Sequence, residues 1–138
     1  MWFMNRVFNP IVAWILKSRL LHPLASKNIL LIAFTGKKSG KHYMTPVEYL
    51  QDEQTIWIMA GFPEKKHWWR NLIGGAPVNL CLRGEWESGE AFALTGQGDE
   101  EKLRTGLSQF AKRYPQRENY FSSEETLHKA VLVQILLD

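Results

Sequence analysis

Residues 29–46 read ILLIAFTGKKSGKHYMTP. The run Ile29, Leu30, Leu31, Ile32, Ala33 has the length and apolar character of a buried strand, and it ends in a tight cluster of glycines, lysines and hydroxyls. Beyond that cluster Pro46 leads into a second strand-like run, residues 43–50, so the connection is a turn between strands and not the start of a helix. Gly36 and Gly40, set among Lys37, Lys38 and Ser39, form a place where backbone N–H groups and ammonium groups can meet an anion together.

Working outward, further strand-like runs cover residues 55–60, 78–83, 86–95 and 130–137. Gln51-Asp52-Glu53-Gln54 turns one pair and Gly84 turns another. Residues 66–73 read as a helical insert ended by Gly74-Gly75. A longer helix starts at Asp99, with acids in its first turn and Leu103, Leu107, Phe110, Ala111 and Tyr114 on one face, until Pro115 stops it. About six mainly antiparallel strands with helices inserted between them predict a mostly β small barrel, as one domain over residues 1–138. A doubly wound dinucleotide fold is excluded: turns link the strands, and no GxGxxG opens a helix after the first one.

The chain has 138 residues, 45% of them hydrophobic, which fills one ordinary core. Its net charge is only +3, but up to Val47 there are seven Lys or Arg residues and no acid, whereas all 14 acids follow. That asymmetry places an anionic partner on the N-terminal third. The single Cys81 excludes an intramolecular disulfide framework and fits a reducing compartment, so the expected location is cytoplasmic. Asn9-Pro10 opens a helix over about residues 10–21 that His22-Pro23 stops. Its surface is apolar except around Lys17, Ser18 and Arg19. Two readings stand, a helix packed on the domain and an interfacial helix with Trp2, Phe3, Phe8 and Trp14 at headgroup depth; the second places the protein peripherally on the inner face of the cell membrane.

The sequence argues against several chemistries. A phosphate-binding P-loop requires G-x-x-x-x-G-K-[ST] running into a helix, but Leu31 occupies the first-glycine position relative to Gly36, and Lys38 separates Lys37 from Ser39. His22, His42, His67 and His128 are isolated, with no ligand pair at metal spacing, so no metal is expected. No nucleophile-histidine-acid motif occurs. The mixed charge after Glu48 argues against a groove that tracks nucleic acid.

In order along the chain, TGKKSG at 35–40, Pro46, WWRNL at 68–72, VNLCLRG at 78–84, RYP at 113–115 with Tyr120, and the closing VLVQI at 131–135 are similar to the motifs of the deazaflavin (coenzyme F420)-dependent nitroreductase family, within the split-barrel flavin and deazaflavin oxidoreductases. The resemblance covers about residues 29–136. It implies a split β-barrel, FMN-binding-like in fold, that holds F420 in a groove with TGKKSG at the coenzyme's phosphate and acidic tail. On that basis Gly36, Lys37, Lys38, Ser39, Gly40, Ala60, Gly61, Trp69 and Asn71 are expected to bind the coenzyme. Of the tryptophan pair, Trp68 is expected in the core, with Asn71 at the groove.

The chain departs from the family pattern at Tyr43, where an arginine is frequent, and at Gly61 and Phe62, where nitroimidazole-reducing relatives carry serine and lysine. Tyr114 and Tyr120 match two of the tyrosines that those relatives place over the substrate, while Glu48 and Arg117 occupy two others. The resemblance therefore implies hydride transfer from reduced F420 to an unsaturated small molecule, with Tyr114 and Tyr120 as catalytic proton donors and Glu48 and Arg117 at the substrate; a quinone-like or other apolar substrate suits the apolar N-terminal helix as a lid. Two alternatives stay open: the same fold using FMN, since a lysine-lined turn can hold any phosphate, or a non-enzymatic lipid or small-molecule carrier at the membrane. The expected assembly is a monomer or weak homodimer.

Overall fold

The structure, a computed structural model, describes residues 29–138. The helix expected over residues 10–21, and with it the choice between a packed and an interfacial reading of Trp2, Phe3, Phe8 and Trp14, lies outside them. Six strands, β1 (Ile29–Thr35), β2 (His42–Asp52), β3 (Thr55–Met59), β4 (Ala76–Leu82), β5 (Glu85–Leu94) and β6 (Leu132–Leu137), close into a barrel in the order β1-β2-β3-β6-β5-β4. Every neighbouring pair is antiparallel. This is the mostly β barrel that the turn-linked strands predict, in the split-barrel form that the resemblance implies.

Alternation along each strand sends one set of side chains inward. Leu30, Ile32 and Phe34 of β1 meet Ile56 and Ile58 of β3, Val78, Leu80 and Leu82 of β4, and Val133 and Ile135 of β6 in the barrel interior. Full burial of each such side chain contributes roughly 1.5–3 kcal/mol of transfer free energy. The opposite face of β1 is buried too: Leu31 and Ala33 pack with Cys81, Met44 and Trp86, which explains why the run from Ile29 to Ala33 has no polar alternation.

The outer faces of β3 and β6 carry Trp57 and Leu132, which α1 (Glu100–Arg113) covers with Leu103, Leu107 and Phe110. Gly106 sits at the point of closest approach. A Cβ there would come within 2.5 Å of Leu132 Cδ1 and 2.7 Å of the Trp57 ring. After α1 the chain makes a 3₁₀ turn, Pro115–Arg117, then α2 (Glu118–Ser122) and α3 (Glu124–Lys129). The sequence reading contains neither of these two short helices. Ser123 caps α3, its hydroxyl accepting the Thr126 N–H at 3.1 Å. The helical insert expected over 66–73 is a 3₁₀ turn confined to Trp68–Leu72. Among the described residues no helix is long and apolar enough to cross a membrane.

Candidate functional site

The register of the β1–β2 hairpin sets Phe34 opposite Tyr43 and Thr35 opposite His42, and residues 36–41 close the loop between them. The Gly36 N–H donates to the Lys41 carbonyl at 2.8 Å, and the Gly40 N–H donates to the Gly36 carbonyl at 3.0 Å. Gly36 is buried inside its own turn: a Cβ there would lie 2.7 Å from Ser39 Oγ and 2.9 Å from the Tyr43 ring. Gly40 has φ 69°, the left-handed region that glycine occupies without strain. The two glycines thus fold the turn on itself. Ser39 does the same, its hydroxyl accepting the Lys41 N–H at 3.2 Å and meeting the Tyr43 hydroxyl at 3.3 Å.

Asn71 ties this turn to the 3₁₀ turn. Its Oδ1 accepts the Lys37 N–H at 3.0 Å, and its Nδ2 donates to the Trp68 carbonyl at 3.0 Å. The Lys37 ammonium donates to the Ile73 carbonyl, so Lys37 is engaged in holding the two turns together. Lys38 is exposed at the edge of the cavity that results, about 490 Å³ in volume. One wall is aromatic. Phe34 stacks with Tyr43 at 5.7 Å between ring centroids and meets Trp68 at 5.9 Å.

The tryptophan pair is placed opposite to the sequence expectation. Trp69 is 8% exposed, in the core, with its indole N–H donating to the Pro63 carbonyl at 3.3 Å, while Trp68 lines the cavity with Asn71. The cause is the helix type. In a 3₁₀ turn residues three apart eclipse, so Trp69 and Leu72 share the buried side and Trp68 and Asn71 share the open one. Trp69 therefore supports the site from beneath and does not border this cavity.

A second cavity, about 690 Å³, lies where β3 runs out. Ala60, Gly61 and Phe62 form one side, and Arg117, Tyr120, Ser123 and Lys129 from the α2–α3 region form the other. The Arg117 guanidinium lies over the Tyr120 ring at 5.0 Å and over Phe121 at 5.5 Å. Lys129 pairs with Glu125 at 2.7 Å; the bond raises the lysine's pKa and lowers the carboxylate's. The loop between β3 and the 3₁₀ turn borders both cavities, Glu64 lining the second and His67 the first.

The expected site residues therefore divide. Gly36, Lys37, Lys38, Ser39 and Asn71 gather at the first cavity, with Gly40 set back in the turn. Ala60, Gly61, Arg117 and Tyr120 gather at the second. Glu48 and Tyr114 border neither; they bond to each other, the Tyr114 hydroxyl donating to Glu48 Oε1 at 2.7 Å. That bond is the largest cause of a raised Tyr114 pKa, followed by burial and the Glu48 charge, while Arg113 pulls the other way. Besides Trp68, the sequence reading missed Phe34, Tyr43, His67 and Arg70 at the first cavity; Phe34 and Tyr43 are a facing pair of the hairpin. Their signal was available: in an antiparallel hairpin, residues equally far from the turn face each other.

The first cavity offers ring faces on one side and a cation at its edge, which fits a flat heterocycle carrying an anionic tail. Among solved structures the fold is similar to an F420-H2 dependent reductase, FDR-A, with 19% identity over 79% of this chain and 94% of that one and a TM-score of 0.58. It is similar to a domain-swapped dimer with 16% identity over 97% and 96% of the two chains and a TM-score of 0.59. A FAD and heme binding protein from Mycobacterium smegmatis matches with 14% identity over 88% of this chain and 67% of that one, with a TM-score of 0.55. Among curated proteins there is no significant match. At such identities the solved structures carry the fold alone. The family rests on sequence: the model of the F420H(2)-dependent quinone reductases matches residues 4–134, and the chain belongs to that family of F420-dependent oxidoreductases.

Proposed function

We propose that this chain reduces a quinone with F420H2, holding the coenzyme in the first cavity and the quinone in the second. The observation that supports the reading is the aromatic wall of Tyr43, Phe34 and Trp68, strapped through Asn71 to the lysine turn. Stacking against such a wall adds to the burial of a planar ring, and Lys38 meets the coenzyme's phosphate as a partly exposed point charge. When bound, the reduced deazaflavin supplies a hydride, which a quinone takes up together with one proton to give the hydroquinone.

The chain's own part is to orient the quinone, offset its charge and deliver the proton. Tyr120 is 48% exposed, at the edge of the second cavity, and its hydroxyl donates to a quinone oxygen. Arg117, already parked over the Tyr120 ring, offsets the negative charge that develops on that oxygen. A solvent-facing phenol regains its proton from water. The expected result is anaerobic recovery of the oxidised deazaflavin's visible absorbance when the protein is mixed with F420H2 and a soluble naphthoquinone, slowed on the order of a hundredfold in Tyr120→Phe. A rate no higher than that of the protein-free mixture would refute the reading.

A further inference from the structure

At the end of β1 remote from the lysine turn, about 20 Å along the strand, lies a cavity of about 410 Å³ that the reductase chemistry does not use. Arg83, Lys112 and Arg113 line it with Tyr49, Gln51 and Gln109, and no acid is among the lining residues. Lys112 and Arg113 come from the last turn of α1, where they also offset the helix's negative end. That end carries about half an elementary charge, less than the charges of Arg83 and Lys112 together, so the cavity lining is positive.

Arg83 is the unusual member. It occupies the first position of the two-residue turn between β4 and β5, with φ 50° before Gly84 at φ 83°. Hairpin turns of that hand favour asparagine, aspartate or glycine there, because the left-handed backbone crowds a larger side chain. This chain keeps an arginine, and two bonds aim it: Nη1 donates to the Tyr49 hydroxyl at 3.3 Å and to Gln51 Oε1 at 3.2 Å. Those bonds use one edge of a guanidinium that carries five N–H donors. Among the described residues neither Arg83 nor Lys112 has an ion-pair partner. A locally strained residue held in position by its neighbours, in a concave basic setting, is the pattern of a binding group.

We propose that Arg83, Lys112 and Arg113 form a second anion site that takes a phosphate-type oxyanion, free or carried on a lipid headgroup. Arg83 supplies planar paired donors, and Lys112 supplies a mobile charge. The site is independent of F420 and of the quinone reading.

The test uses the full chain, labelled with nitrogen-15 and titrated with inorganic phosphate at low salt. Saturable shifts are expected at the Arg83 and Gly84 amides, with Gly40 reporting separately on the lysine turn. Arg83→Asn fits the left-handed backbone, so its thermal midpoint should be kept while phosphate affinity at this end falls about tenfold. Lys112→Gln should weaken it severalfold. Absence of saturable shifts at Arg83 and Gly84, or an unchanged affinity in folded Arg83→Asn, overturns the proposal. Flotation with phosphatidylglycerol vesicles, against phosphatidylcholine vesicles, separates the two sources. Flotation lost in Arg83→Asn assigns the lipid headgroup, and phosphate binding without such flotation assigns the free ion.

Discussion

The two cavities on either side of the loop after β3 differ in what gives them their shape. The first is bounded by a hairpin and a 3₁₀ turn, joined by the Lys37 N–H, which donates to Asn71 Oδ1, and by the Lys37 ammonium, which donates to the Ile73 carbonyl. Strand register fixes it, and a register can slip only by turning a buried face outward. The second has short helices for one side: α2 leans on α1 through Phe121 and Phe110, 5.8 Å apart, α3 places Leu127 in the same apolar cluster, and α1 lies on Trp57 and Leu132 at Gly106. On the proposed reading the coenzyme takes the sheet-built cavity and the quinone the one flanked by short helices.

If that contrast is right, the two cavities come apart under mutation. Gly106→Ala forces a methyl group against the rigid Trp57 ring and the buried Leu132 side chain. The better helix propensity of alanine offsets less than about 1 kcal/mol, whereas overpacking costs about 1–3 kcal/mol. The expected outcome is a lower urea midpoint, with amide exchange rising in α2 and α3 and F420 affinity nearly intact. Equal loosening of the lysine turn and of the helices would break the comparison.

The lysine turn offers the next test, because its two lysines have different work. Lys38→Ala should lower F420 affinity about tenfold at low salt and less at high salt, with little change in stability. Lys37→Ala removes the ammonium that bonds the Ile73 carbonyl, so it should lower the thermal midpoint as well as affinity. Fluorescence titration of the coenzyme beside thermal unfolding separates the two variants. Identical profiles would show that both lysines act only as charges.

The barrel was legible in the chain because turn-linked strands leave few topologies, and the hairpin after Thr35 was legible for the same reason. Three elements were not read correctly, for two physical causes. The helical insert came out as a 3₁₀ turn, whose threefold repeat exchanged the positions of Trp68 and Trp69. The helices α2 and α3 are five and six residues long, too short for a 3.6-residue pattern to emerge. The cap on α3 was nevertheless written in Ser123 followed by Glu124 and Glu125. The division of the expected site residues between two cavities had no sequence signal, since Gly61 and Arg117 meet only through tertiary packing.

Tyr43 sharpens the picture of the first cavity at smaller scale. It is 42% exposed yet stacked on Phe34, so its ring is held ready without being buried. Tyr43→Ala removes one face from a bound heterocycle, a loss of about 0.5–1.5 kcal/mol, or several-fold in F420 affinity. Tyr43→Phe should retain most of that affinity, because only the 3.3 Å contact with the Ser39 hydroxyl is lost. Equal losses in the two variants would assign the effect to the hydroxyl and not to the ring.

The Tyr114–Glu48 bond joins the end of α1 to β2 and belongs to neither cavity, so it asks whether the helices and the sheet are coupled at all. The bond from the phenol to the carboxylate holds the Tyr114 pKa above its ordinary value, with burial and the Glu48 charge adding to it and Arg113 opposing. An unfolded tyrosine titrates near 10. Between that value and the higher folded one, the folded chain binds the proton more tightly, so the stabilisation is complete below about pH 10 and is lost as pH rises through the folded value. Tyr114 is half-buried but its partner Glu48 is exposed, which keeps the effect small. In an alkaline titration of phenolate absorbance, the Tyr114→Phe difference should identify a late-titrating tyrosine, and Glu48→Gln should bring that tyrosine down toward the ordinary range. If Glu48→Gln leaves the titration unchanged, the carboxylate does not hold the phenol in solution, and the helices rest on the sheet through apolar packing alone.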